Sequence, residues 1–315
     1  MVQQLLRDRG QTWQLAPLVL LIVVVTAVPF LGSLDNDFVN WDDGVYVKNN
    51  RQIQDLTWPS VQEIFSAPLS RAYTPFTLLS LSLDHAIWGL DPFGYHLTNL
   101  LLHLANTLLV FLFIWRLTNH RLPSLVAALL FGVHPLHVES VVWITERKDV
   151  LSTLFFLTAL LCYLRFRREQ RSVFYYVSLA LFVIALLSKQ MAITLPLVLL
   201  LCDFLVGRAW TRRVFVEKLP FFLLSLVFAL EPYSFTISDG GRVPRLPGRL
   251  SPRNRRYTLL KKSWEIPRDP GVVRRWLESP RILPSSPTQG PETIFWSKLL
   301  AAFPRCFNQA SPSSR

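Results

Sequence analysis

Long apolar runs broken by short charged stretches dominate the chain, and their lengths fit a polytopic membrane protein better than a soluble fold. A polar segment, Met1–Gln14, precedes the run Leu15–Leu34. At about 20 residues this run can cross a bilayer core and exceeds the apolar stretch of a signal peptide, so a retained anchor is expected. Further spans are predicted at Leu97–Trp115, Leu122–Trp143, Val150–Phe166, Val173–Leu187 and Met191–Val206, the last three short enough to need flanking residues to cross. A seventh run, Leu219–Leu230, is too short alone and reads as cut off. The expected fold class is an all-α integral membrane bundle, with six or seven spans over residues 1–231.

The placement of Lys and Arg orients these spans. With the N-terminus inside, residues 1–14, 116–121, 165–171 and 207–218 become cytoplasmic and hold 12 of the 18 basic residues before position 232. The outer segments share Lys48, Arg51, Arg71, Arg147, Lys148 and Lys189. The first outer loop, Asp35–Tyr95, is too long for a simple connector. Its apolar pieces, Val61–Phe65 and Phe76–Leu83, are expected as amphipathic helices at the interface.

Charge changes the picture only when it is located. The net charge is +12 over 315 residues, but residues 232–315 hold 15 Lys/Arg against 5 Asp/Glu, together with 12 of the 22 prolines. The basicity therefore belongs to a Pro/Arg-rich tail that reads as disordered, and not to the membrane body. No nucleic-acid partner is expected. The three cysteines, Cys162, Cys202 and Cys306, are scattered and form neither a metal spacing nor a disulfide framework.

In the predicted topology the unusual polar residues gather on the outer side. Asp42 and Asp43 follow the first span in FVNWDDGVYVKNN. The third span ends in HPLHVES, with His134, His137 and Glu139; Glu146, Arg147, Lys148 and Asp149 follow; the fifth span exits at Lys189. Acidic, imidazole and cationic groups at one end of a bundle suggest a site. Each also has a plain reading. An acidic pair after a span is commonly a solvated loop, His134 and His137 can cap a helix end, and Lys189 can reach to lipid head groups. His96, Asn99, His103 and Asn106 recur at helical spacing and form a stripe that should face inward, either for interhelical hydrogen bonding or as part of a site.

The stretches FVNWDDGVYV, AYTPFTLLSLSLDHAIWGLDPFGYHLTNLLLHLANTLL, LLFGVHPLHVESVVWITERKDVLSTLFFL, LLSKQMAITLPLVLLL and EKLPFFLLSLVFA give the chain a further reading. From about Phe38 to Phe228 it resembles bacterial members of the transmembrane and tetratricopeptide-repeat O-mannosyltransferase family. The resemblance implies a GT-C fold with its active site on the non-cytoplasmic face, an isoprenoid-phosphate sugar donor (mannose in eukaryotic members) and a protein Ser or Thr hydroxyl as acceptor. It implies a multi-pass protein of a bacterial inner membrane; no cofactor is expected and no metal ligands are assigned. The family's catalytic acidic pair maps onto Asp42 and Asp43, which moves this pair from solvated loop to site. Asp42 is then expected as the base and Asp43 as its orienting partner, the two roles being exchangeable. Lys189, Arg147 and Lys148 are expected at the donor phosphate, with His134, His137, Glu139 and His103 as further site candidates. Family members continue with more spans and helical repeats. Here the apolar pattern changes after Ala229, and a reading-frame shift near Leu230 is favoured over a native basic extension. An inactive fragment or membrane scaffold, and less strongly a transporter, remain as other readings.

Overall fold

A computed structural model describes residues 15–66, 69 and 73–238; the expectations for the N-terminal segment and for the tail beyond residue 238, Cys306 included, lie outside the described residues. The described part is helical, in order α1 (Ala16–Ala27), α2 (Trp58–Ser66), α3 (Pro75–Trp88), α4 (Pro92–Thr118), α5 (Arg121–Gly132), α6 (His137–Val142), α7 (Arg147–Glu169), α8 (Ser172–Ser188), α9 (Leu195–Leu205) and α10 (Arg212–Ser238). Tight helical turns at Val28–Asp35, Gly44–Lys48, Arg51–Ile53, Ile144–Glu146 and Gln190–Thr194 join them. Three stretches are long and apolar enough to cross a membrane: Ala16–Asp35, Pro92–Thr118 and Ile144–Glu169. Arg121–Gly132, Ser172–Ser188 and Gln190–Leu205 are shorter apolar helices. The protein is an all-α, polytopic membrane protein.

Local chemistry fixes the boundaries. Proline occupies the first turn of α1, α3 and α4, where its missing N–H costs nothing. Asp91 caps α4 by accepting from the Phe93 N–H at 3.0 Å. Asn119 and Gln170 take the left-handed conformation that ends α4 and α7. Arg167 and Arg168 fill the last turn of α7, where cations suit the helix dipole.

One predicted span needs correction. The run Leu122–Trp143 is not one helix. α5 stops at Gly132, a turn follows, and α6 restarts at His137. Pro135 has no N–H to donate and disfavours helical geometry at His134, so a continuous apolar pattern is split by one residue's backbone chemistry. The run Leu219–Leu230 lies within a longer helix, α10, which begins at Arg212 and continues through Ser238. The amphipathic pieces in the first loop do become helices, α2 and α3.

Hairpin packing decides which residues share an end. α7 and α8 run antiparallel, tied by Ser152 Oγ donating to the Ala185 carbonyl (3.0 Å) and Ser178 Oγ to that of Ala159 (2.8 Å). α8 thereby carries Lys189 back to the end where Arg147 starts α7. Tyr163, Phe182, Leu186, Leu199 and Phe221 fill the core among α7–α10. A second core, with Val47, Ile53, Ile64, Leu78 and Leu81, folds the first loop onto Tyr95 of α4 and Ile144. α1 meets α5 at Gly132, where an added Cβ lies 2.3 Å from Thr26 Oγ1. Gly132→Ala is therefore expected to push α1 away and cost about 1–3 kcal/mol, seen as a lower unfolding midpoint in detergent.

Candidate functional site

Asp43 is fully buried, and four donors converge on its carboxylate. Oδ1 accepts from Trp143 Nε1 at 3.0 Å, from the Thr145 N–H at 3.1 Å and from the Thr145 hydroxyl; Oδ2 accepts from the Val39 N–H at 2.8 Å. Four donors on one carboxylate hold it immobile. It pins the loop after α1 to the turn between α6 and α7, about a hundred residues away in sequence. Asp42, the next residue, is half-buried, and among the described residues its carboxylate makes no hydrogen bond or ion pair. Its neighbour Trp41 is 73% exposed and packs on Trp143, ring centres 5.6 Å apart.

Tyr46 extends this junction. Its ring lies under Lys148 Nζ, 5.9 Å from the centroid. Burial, and then the negative charges of Asp42 and Glu146, push the Tyr46 phenol above its usual pKa. Both carboxylates therefore bear on one ring. Lys148 pairs with Glu146 at 2.8 Å. Lys189 reaches the same group, 3.5 Å from Glu146 Oε2, and pairs closely with Asp149 Oδ1. Asp149 Oδ2 accepts from Ser140 Oγ of α6 at 2.9 Å. The Thr77 hydroxyl of α3 donates to the Ser188 carbonyl at 3.0 Å and fixes the turn that presents Lys189. Asp42, Lys148 and Lys189 thus belong to one connected end of the bundle, with the two lysines matched by the two carboxylates of Glu146 and Asp149.

Arg147 has a different use from the one expected. Its side chain is 0% exposed, and its guanidinium is fully committed. Nη2 pairs with Asp84 Oδ2 at 2.6 Å and donates to the Tyr95 carbonyl at 2.9 Å; Nη1 donates to Ser80 Oγ at 3.0 Å; Nε donates to Asn99 Oδ1. In this arrangement its donors are turned to protein groups. It locks α3, α4 and the start of α7 together directly beside the turn that holds Asp43.

The polar stripe on α4 faces inward, with His96, Asn99, His103 and Asn106 all buried. Asn99 Nδ2 donates to the carbonyls of Val141 (3.2 Å) and Trp143 (3.1 Å), Asn106 Nδ2 to that of Val150 (2.8 Å), and His103 Nε2 meets the Gly132 carbonyl at 2.9 Å. The bonds to Gly132, Val141 and Trp143 satisfy the backbone where α5 and α6 end, which is where buried carbonyls would otherwise lack partners, and the bond to Val150 ties α4 to the first turn of α7. His103 packs on Phe131 and His137, and His137 on His134. His134 Nδ1 accepts from the Leu136 N–H at 3.3 Å, a turn-capping contact. Glu139 is exposed at the start of α6. Among the described residues no cluster of three or more His, Cys, Asp or Glu is placed to hold a metal ion.

Sequence reasoning missed Trp143, Thr145, Tyr46 and Asp84 as parts of this end. Trp143 and Thr145 sit immediately before Glu146 in a segment already marked as polar, so their proximity in sequence was the available signal. Nothing comparable marked Asp84.

Comparison with known proteins agrees with this architecture. The family described as dolichyl-phosphate-mannose-protein mannosyltransferase matches residues 72–234, just over half of the chain. Protein O-mannosyl-transferase TMTC2 of Mus musculus is 38% identical over 144 residues, covering 43% of this chain and 17% of the relative. Protein O-mannosyl-transferase Tmtc1 of Drosophila melanogaster is 42% identical over 147 residues (45% and 17%). Protein O-mannosyl-transferase F38B6.6 of Caenorhabditis elegans is 29% identical over 252 residues (74% and 35%). The chain thus spans between 17% and 35% of the length of these relatives. No solved structure matches it. With the matched segment running from the start of α3 into α10, the chain belongs to the dolichyl-phosphate-mannose-protein mannosyltransferase family.

Proposed function

We propose that the chain is a membrane glycosyltransferase that moves mannose from an isoprenoid-phosphate donor to a Ser or Thr hydroxyl of a protein, on the non-cytoplasmic side of the membrane. The observation that carries this reading is the division of labour between the two aspartates. Asp43 has both carboxylate oxygens occupied by four hydrogen bonds, whereas Asp42 stands beside it with its carboxylate uncommitted. A Ser or Thr hydroxyl is a poor nucleophile and needs a carboxylate within reach to accept its proton as it attacks the anomeric carbon. Asp42 fills that role, and Asp43 fixes the loop that carries it.

The bond from the anomeric carbon to the donor phosphate breaks as the new glycosidic bond forms, and a single displacement inverts the sugar's configuration. Negative charge gathers on the departing lipid phosphate, and Lys148 and Lys189 are the cations placed to meet it. Their pairing with Glu146 and Asp149 holds them in position before the donor arrives. His134 and His137, where the chain passes from α5 to α6, are further candidate donors. The motif stretch that resembles bacterial members supports a bacterial inner membrane, and the basic loops support a cytoplasmic position for the opposite end of the bundle.

The test is transfer itself. The full chain, reconstituted in liposomes with a polyprenyl-phosphate mannose donor and a Ser/Thr-containing peptide, should yield mannosyl-peptide of inverted configuration. Absence of product from the intact chain, or retained configuration, would remove the proposed reaction.

A further inference from the structure

At the end of α7 opposite Arg147 lies a second dense ionic group. α7 has 23 residues, so the two ends are about 33 Å apart, roughly one bilayer core. Asp203 is bound by Lys218, by Arg208 at 2.9 Å and by the Tyr163 hydroxyl at 2.9 Å. Glu217 is bound by Arg208 at 2.7 Å, Arg213 at 3.0 Å and Arg167 at 3.7 Å. Both carboxylates are thereby used up. Arg168, Arg171 and Arg212 are exposed and have no acidic partner among the described residues. This end therefore carries an uncompensated positive charge.

Beside it, between the first turns of α8 and α10, runs an open groove of about 760 Å³. Its lining is mostly apolar, with Phe166, Leu179, Val216 and Pro220, and it also carries Ser172, Arg212, Arg213 and Glu217, the last already engaged by arginines. Tyr175 closes the floor by donating to the Glu217 carbonyl at 3.0 Å, and Tyr176 stands exposed at the mouth. The groove begins where polar sequence gives way to the apolar body of α8, the depth at which tyrosines and arginines meet lipid head groups.

We propose that this groove is a binding site for an anionic diacyl phospholipid. Its phosphate lies against Arg212, Arg213 and the Ser172 hydroxyl, and one acyl chain follows Leu179, Val216 and Pro220 towards the bilayer interior. Charge complementarity selects this occupant: a zwitterionic lipid brings no net charge to Arg212, which has no acidic partner among the described residues, or to the positive surplus around it, and a free anion leaves the apolar lining unfilled. The site is independent of the proposed transfer chemistry at the other end.

Native mass spectrometry of the full chain in neutral detergent, with phosphatidylglycerol and phosphatidylcholine added at equal concentration, tests the proposal. The phosphatidylglycerol adduct should dominate, and Arg212→Gln and Arg213→Gln should each weaken it about fivefold. Val216→Trp, which fills the groove and leaves both arginines, should abolish the preference. Arg116→Gln, a basic change on another helix, should leave it intact. Equal retention of both lipids, an undiminished adduct in Val216→Trp, equal loss in Arg116→Gln, or displacement by excess inorganic phosphate would each overturn the site.

Discussion

Replacing Asp42 by asparagine should lower mannosyl transfer by about 10²–10⁴-fold, the usual contribution of a positioned general base, while leaving the unfolding midpoint unchanged. The second half of that expectation is the discriminating one. Among the described residues the Asp42 carboxylate makes no hydrogen bond or ion pair, so an isosteric amide removes a proton acceptor and nothing that supports the fold. Asp43→Asn should behave differently. Asparagine turns an NH₂ group towards donors that the carboxylate now accepts from, namely Val39 N–H on one oxygen or Trp143 and Thr145 on the other. Both activity and stability should fall together. Transfer assays and thermal unfolding of the two variants separate a chemical role from a structural one. Full activity in Asp42→Asn, or an equal loss of stability in both variants, would exchange or remove the proposed roles.

Arg147→Met should be the most destabilising single change in the described part, at about 3–5 kcal/mol. Methionine fills much of the space but leaves the Asp84 carboxylate, the Asn99 Oδ1 and the Tyr95 carbonyl buried without their donor. The loss stems less from the missing attraction than from an unpaired charge left in an apolar surround. Adding Asp84→Leu should restore much of the stability, because a buried ion pair replaced by an apolar pair of similar volume is often close to neutral. The double variant also separates the two uses considered for Arg147. A positioning residue predicts that the refolded double variant keeps its donor KM. A phosphate ligand predicts a stable protein with a strongly raised donor KM.

What could be read in the sequence followed from local chemistry. The α4 stripe His96–Asn99–His103–Asn106 announced an inward polar face through its spacing alone, and it is buried as expected. The first-loop helices α2 and α3 were legible from short apolar runs, and Pro75 and Pro92 mark helix starts. The break at Pro135 was written in the chain but was masked by the apolar residues on either side. Hydropathy measures how well a segment tolerates lipid, and a helix boundary is set by backbone hydrogen bonding. The same distinction explains α10, which continues past Leu230 although its apolar pattern does not.

At the site, residue types and their common end were legible, and their pairings were not. Arg147, Lys148 and Lys189 looked alike as basic residues near Asp42. Only the three-dimensional arrangement shows that one points into the α3–α4 junction while two meet Glu146 and Asp149. Asp43 with Thr145 and Arg147 with Asp84 are long-range partnerships, and no periodicity records them.

The account depends on Asp42 opening to the non-cytoplasmic side together with Lys148 and Lys189, and thiol labelling measures that directly. In a background with Cys162, Cys202 and Cys306 changed to serine, Asp42→Cys should react with a membrane-impermeant reagent in intact cells. Arg168→Cys should react only after the membrane is opened. Labelling of position 42 from the cytoplasmic side alone would contradict the proposed enzyme.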